Sequence, residues 1–425
     1  MNTDKIILAK GCTYSSNCAE TGVNNNQIIV GGSGSGKTMS ITEPCLLETF
    51  QRNLIVTVTK PRIVYQYAPI LEERGYQVET LNFARPENST AAYDPLHFVR
   101  NEQDIQFLAQ SIVMANPRKA KNTTADPYWD DSAVSLMSAL ISAVMLMQPD
   151  ASFADVLVLF QSLKMDLSKT IVKTSLDSFF AEVESTPGSE FAMTNWQNFC
   201  QLPVRTASCV YSALGITIAH LCDKKLLKMM RLPNKLDFVE MAQHKNVLFV
   251  VTSPVNAGLN TFASMFYATA LKELFEYAES RRNGVLPIPT HIICDDFATG
   301  AQIPHFDQYI SIIREKGLSV SVLCQSETQL ENMYGKSAAP TIINNCDSYV
   351  FTGAMDLQTA RSVSMRLNMP IEDVLAMPIG VFAVFRRGEK PVVASRYPIL
   401  ENGQYQKVLK NYTQEYLQKE EELTA

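Results

Sequence analysis

The sequence predicts an α/β fold: a mostly parallel sheet flanked by helices, with an all-helical segment inserted into it. Three observations lead there. Short apolar, β-branched runs alternate with helix-like stretches at both ends of the chain, the pattern of buried parallel strands joined by crossovers. Between about residues 97 and 243 that alternation stops and helical periodicity alone remains. The first strand-like run passes into a helix through a turn built almost entirely of glycine and serine. The chain therefore divides into a first α/β part over 1–96, a helical insertion over 97–243, and a second α/β part over 244–425.

The elements follow in order. Gln27-Ile28-Ile29-Val30 reads as a strand, and Met39 to Phe50 as the helix after the glycine turn. Leu54 to Val58 is a β-branched strand, Ile63 to Arg74 a helix stopped by Gly75, and Gln77 to Leu81 a third strand. This βαβαβ order implies parallel pairing with right-handed crossovers. In the insertion, Asp126-Pro127 resembles an N-cap followed by proline at the first helical position. Helices are expected over Ser132–Met147, Phe153–Leu163, Leu167–Glu184, Phe191–Gln201 and Thr206–Asp223. Alternation resumes with the strand Asn246–Thr252 and the long helix Thr261–Arg282. Strands at Ile292–Cys294, Leu318–Cys324 and Ser348–Thr352 come next, then a hairpin of Val381–Phe385 and Val392–Ala394 around Gly388. The polar tail from Gln418 is expected to fray.

Composition narrows the class. With 425 residues, 46% hydrophobic and 19% charged, the chain can bury a large core. A net charge of −6 excludes a global basic field for nucleic acid. The basic segments Arg118, Lys119, Lys121 and Lys224, Lys225, Lys228, Arg231 read as solvated faces. Nine cysteines lack any C-x-x-C pair, so neither a zinc site nor a disulfide framework is expected; Cys45, Cys209, Cys294 and Cys324 read as reduced core residues. Ile6 to Ala9 is too short for a signal-peptide core. The eighteen uncharged residues Ser132–Pro149 contain four serines and are flanked by acids, which favours a buried helix over a membrane span.

The glycine turn carries the chemistry. Gly31-Gly32-Ser33-Gly34-Ser35-Gly36-Lys37-Thr38 is a complete G-x-x-x-x-G-K-[ST] loop between a strand and a helix. Its glycines let backbone N–H groups turn inward around phosphates, and the helix N-terminus adds its positive dipole end. Lys37 is positioned for the β- and γ-phosphates, and the Thr38 hydroxyl for Mg²⁺. The expected ligand is a nucleoside triphosphate with Mg²⁺. Such a loop needs an acid at the end of a neighbouring strand. Ile292-Ile293-Cys294-Asp295-Asp296 supplies two: Asp295 for the Mg²⁺ shell and Asp296 for polarising the attacking water. Gln325 ends another strand and is a candidate γ-phosphate sensor, while Ser326 reads as a helix cap. Arg314 is either a surface cation at a helix C-terminus or an arginine finger reaching an adjacent subunit.

Asp295-Asp296-Phe297, Ile303-Pro304, Phe306, Arg314, Gly317, Gln325-Ser326, Gln329-Leu330 and Tyr334-Gly335 together resemble the type IV secretion coupling proteins. These are the TraG/TraD group of the FtsK/HerA ring ATPases. The similarity continues through Ile343–Cys346, Gly353, Asp356, Thr359-Ala360, Ser364 and Arg396-Tyr397-Pro398, and upstream through Ser89, Tyr93–Leu96 and Asp126–Trp129. The resemblance implies a P-loop NTPase fold of RecA-like type with ATP and Mg²⁺ as cofactors, and an ATP-driven motor that moves conjugative DNA, often attached to a relaxase, toward a secretion channel. It implies a homo-hexameric ring, DNA contacts mainly to phosphates of single strands, an insertion that takes part in substrate selection, and a trans-acting finger at Arg314.

Two departures stand out. The family's catalytic acid is Glu where this chain has Asp296, and the second strand ends Thr57-Val58-Thr59-Lys60-Pro61-Arg62 where relatives carry Asp-x-Lys-Gly-Glu, so only Lys60 matches. The shorter Asp296 leaves a second reading open: a nucleotide-binding adaptor with little hydrolysis that presents substrate to the machinery. Many relatives begin with membrane helices, whereas this chain begins almost at the ATPase part. The expectation is a cytoplasmic protein, peripheral at the inner face of the membrane through partners.

Overall fold

Strands buried on both faces build the centre of the molecule. The computed structural model describes residues 3–115, 127–219, 221–253, 257–295, 297 and 302–424. Its strands are β1 (Lys5–Ala9), β2 (Cys12–Ser15), β3 (Gln27–Val30), β4 (Asn53–Val58), β5 (Gln77–Asn82), β6 (Asn246–Val251), β7 (Thr290–Cys294), β8 (Leu318–Cys324), β9 (Ser348–Phe351), β10 (Val381–Arg386) and β11 (Val392–Ser395). The order across the main sheet is β11-β10-β9-β3-β8-β7-β4-β6-β5. Every pairing from β5 to β9 is parallel; β10 and β11 add antiparallel at one edge. Every residue of β3, β4, β6, β7 and β8 is buried, as parallel strands covered by helices on both faces require.

Alternate residues feed two cores. One face carries Ile28, Val30, Ile55, Leu248, Val250, Ile292 and Val322. The other carries Ile29, Leu54, Val56, Phe249, Ile293 and Leu323. The helices between β5 and β6 pack on the first face and share its apolar cluster. A buried carboxylate in the segment after β5 holds the start of the helix Phe153–Ser162: Asp94 Oδ1 accepts from Leu96 N and from Phe153 N, both at 3.0 Å, and Lys235 lies 3.3 Å from Oδ2. The second face is covered by the β1–β2 hairpin, the helix Arg62–Glu73 and Tyr405 and Val408 of the C-terminal helix.

Polar residues inside β8 have a partner. His291 of β7 sits opposite Ser319, with ring nitrogens 2.7 Å from Ser319 Oγ and 2.8 Å from Ser321 Oγ. Full burial holds its pKa well below the ordinary histidine value.

Several elements differ from expectation. The helix expected from Leu167 begins only at Asp177. Asp177 Oδ1 accepts from Thr174 N and Oγ1, which stops the helix there, and Leu167 and Ile171 stand exposed with no face to cover. Cys209 is exposed on its helix rather than in the core. The tail continues as a helix, Gly403–Thr424, instead of fraying, capped by Asn402 Oδ1 and joined to Glu73 through Lys407 at 2.7 Å. The N-terminal hairpin was legible only as the apolar run Ile6–Ala9. Asp126, Arg118, Lys119 and Lys121 lie outside the described residues. Among the described residues one helix, Tyr128–Met147, is long and apolar enough to cross a membrane, and most of it is buried.

Candidate phosphate-binding site

The loop Gly31–Thr38 springs from the C-terminal end of β3. Gly34 and Gly36 hold φ of 77° and 86°, conformations that strain any residue with a Cβ. Gly31 is constrained by space instead: a Cβ there would lie 1.8 Å from Thr352 Oγ1 and 2.7 Å from Ser35 Oγ. The neighbouring strand forms this wall. Thr352 N donates to Val30 O at 2.8 Å, Gly32 N donates to Gly353 O at 2.7 Å, and Ser35 Oγ lies 2.8 Å from Thr352 Oγ1. Thr352 and Gly353 thus brace the loop from the β9 side, a role that no local spacing announced.

Lys37 is buried, and its Nζ donates to the carbonyls of Gly31 and Gly32, the latter at 3.1 Å. The ammonium is therefore folded into the cradle made by its own loop. The chain leaves the loop through one wide turn, Thr38–Thr42, where Glu43 N bonds Thr38 O; the α-helix Glu43–Leu47 follows, with Pro44 near its start. Glu43 is buried and accepts from Tyr67 Oη at 2.7 Å, which anchors this turn to the helix Arg62–Glu73. Burial and the Glu43 charge both push the Tyr67 hydroxyl pKa upward, so it remains a donor.

Asp295 follows β7 directly and is buried. Its Oδ2 accepts from Thr38 Oγ1 at 2.6 Å, so two segments 257 residues apart meet at the hydroxyl and carboxylate that an Mg²⁺ ion would need. A hard cation with oxygen ligands fits this pair, and the inward glycine backbone fits a chain of phosphates. Asp296 lies outside the described residues.

Topology explains Gln325. Strand β8 lies between β3 and β7, with Cys324 opposite Val30. Gln325 therefore emerges between the phosphate loop and Asp295, half-buried, while its N–H donates to Gln329 Oε1 at 3.0 Å. Ser326 caps the following helix, accepting from Gln329 N at 3.0 Å. The adjacent cysteines, Cys294 and Cys324, are buried. Burial pushes Cys324 up to about 12 despite the Lys37 charge, and burial with the Asp295 charge raises Cys294.

Arg314 is not brought to this site. It precedes β8, at the end of the sheet opposite the loop, a strand's length of roughly 20 Å away. It is exposed, and its Nη2 donates to Gly22 O at 2.8 Å. Within one chain it cannot touch phosphates held by Lys37.

Comparison with known proteins places the fold. The family model described as type IV secretory system conjugative DNA transfer matches residues 4–369. Among curated proteins none matches in sequence. Among solved structures, the bacterial conjugative coupling protein TrwB in its unbound monoclinic form superposes with a TM-score of 0.68 at 15% identity, covering 93% of this chain and 88% of that one. TrwB in complex with ADP and Mg²⁺ gives 0.64 at 16% identity over 88% and 85%. VirB4 of Thermoanaerobacter pseudethanolicus gives 0.55 at 14% over 95% and 98%. At these identities the likeness is one of fold: a P-loop NTPase sheet flanked by helices.

Proposed function

The chain belongs to the type IV secretory conjugative DNA-transfer family, and on that premise we propose that it is an Mg²⁺-ATP-driven coupling motor that delivers conjugative DNA or a nucleoprotein to the secretion channel. The observation that carries the reading is the Thr38–Asp295 hydrogen bond beside the buried Lys37. It supports ATP as substrate, as does the ADP and Mg²⁺ in the TrwB complex.

Each residue has a part. The loop N–H groups of Gly31–Thr38 hold the phosphates, and Lys37 exchanges the carbonyls of Gly31 and Gly32 for the β- and γ-oxygens. Thr38 and Asp295 would hold Mg²⁺, which neutralises phosphate charge when bound. Asp296 orients the attacking water, and Gln325 reports the presence of the terminal phosphate through a hydrogen bond that weakens when the phosphate leaves. Arg314 completes the site of an adjacent subunit, because its own chain keeps it on the far side of the sheet. That division of labour requires at least a dimer and is satisfied by the homo-hexameric ring expected of the family. The helical stretch 97–243 takes the substrate-selecting role, and DNA is held mainly through phosphates in the ring's pore, with relaxase and channel components as partners.

The test is ATP turnover with and without single-stranded DNA. Turnover stimulated by DNA and abolished by Lys37→Ala is the expected result. Negligible turnover that Asp296→Glu restores would replace the motor by a nucleotide-binding adaptor.

A further inference from the structure

A second cation lies against the loop within the same chain. Arg396 follows β11, and its N–H donates to Gly380 O at 2.7 Å. Its stem crosses Gly380, where a Cβ would lie 3.6 Å from Cδ and 3.7 Å from Nε, and where φ is +85°. The guanidinium then reaches the loop: Nη1 lies 3.8 Å from the position of a Cβ on Gly36, the residue before Lys37. Arg396 is exposed, and among the described residues its guanidinium makes neither a hydrogen bond nor an ion pair. Arg396 and Lys37 thus flank the same turn of the loop, and a polyanion seated there would meet both cations.

The sheet order says which part of that polyanion it meets. Asp295 and Thr38 mark the Mg²⁺ end, and Asp295 belongs to the β7 side of β3. Arg396 approaches from the other side, across β9, β10 and β11. With the terminal phosphate drawn toward the Mg²⁺ pair, the phosphates left for Arg396 are the inner ones. We propose that Arg396 is a binding residue for the α/β-diphosphate of a nucleotide held by the loop of its own chain, separate in role from Arg314. This rests on the nucleotide-binding reading of the loop.

The experiment is calorimetric titration of the full chain with Mg²⁺-ADP and, separately, with a non-hydrolysable ATP analogue. Because ADP retains both inner phosphates, Arg396→Ala is expected to weaken the two nucleotides equally, by about tenfold, the loss of one charge-assisted contact. Arg396→Lys should recover part of the loss, and the melting temperature without nucleotide should not move for either variant, since the side chain is exposed. ADP affinity within twofold of the parent in Arg396→Ala overturns the assignment. So does a loss confined to the triphosphate analogue, which would make the contact one to the γ-phosphate. If the unsubstituted protein bound neither nucleotide, the nucleotide-binding reading itself would fall, and that result is distinct from both.

Discussion

Replacing Gly31 by alanine tests whether β9 walls the phosphate loop. The new Cβ would sit 1.8 Å from Thr352 Oγ1, about 1.6 Å short of ordinary 3.4 Å contact. Thr352 has little room to yield. Its N–H is bonded to Val30 O, its hydroxyl to Ser35 Oγ, and its own Cβ would remain 3.1 Å away after any rotation of the hydroxyl. The loop must therefore move, and overpacking of this kind costs about 1–3 kcal/mol. If that strain falls on the phosphate-binding conformation, affinity for Mg²⁺-ADP drops about 5- to 150-fold. Calorimetry on Gly31→Ala, Thr352→Ala and the double variant measures it. The double variant should bind better than Gly31→Ala alone, because the atom at 1.8 Å is gone, though the contacts to Ser35 Oγ at 2.7 Å and to the remaining Cβ of residue 352 at 3.1 Å keep rescue incomplete. Binding by Gly31→Ala within threefold of the parent would refute the reasoning, and so would losses that simply add in the double variant.

Other consequences are open to direct measurement. Asp295→Asn and Thr38→Val should each remove most of the Mg²⁺ enhancement of ADP binding, read as the ratio of affinities with and without the ion; an unchanged ratio would separate this pair from the metal. Buried His291 has a folded-state pKa below its unfolded value near 6.5, so the unfolded chain takes up the proton first. Stability linked to this site is present above about pH 6.5 and is lost as pH falls toward the lowered folded value; His291→Gln should flatten the melting-temperature profile in that acid range. Asp94→Ala removes the acceptor shared by Leu96 N and Phe153 N and strands Lys235, a loss of about 3 kcal/mol by chemical denaturation, and a loss under 1 kcal/mol would contradict the anchoring role.

Local chemistry wrote much of this molecule plainly. The phosphate loop was legible because glycine, lysine and threonine at that spacing between an apolar strand and a helix serve few other purposes. The parallel strands were legible because burial on both faces demands unbroken apolar runs such as Asn246–Val251. Asp295 could be named as the partner of Thr38, but the 2.6 Å contact between them exists only because β7 and β3 end at the same edge with β8 between them. Helix limits were less legible where a side chain competes with the backbone, as Asp177 does, or where apolar residues far along the chain dock a polar segment on the core, as Tyr405 and Val408 do for the C-terminal helix.

What the sequence by itself determined is the glycine-rich loop with its lysine and threonine and the strand that ends in an acid, the groups proposed to handle a magnesium-bound triphosphate, since their identities and short-range spacing are local properties. What only the tertiary structure decided is who stands beside whom over long separations. Thr352 walls Gly31, Arg396 reaches Gly36, and Arg314 is held at the far end of the sheet, out of reach of its own loop. The physical reason is that strand order and parallel register are collective outcomes of burying two faces at once, and no residue's neighbours along the chain encode them.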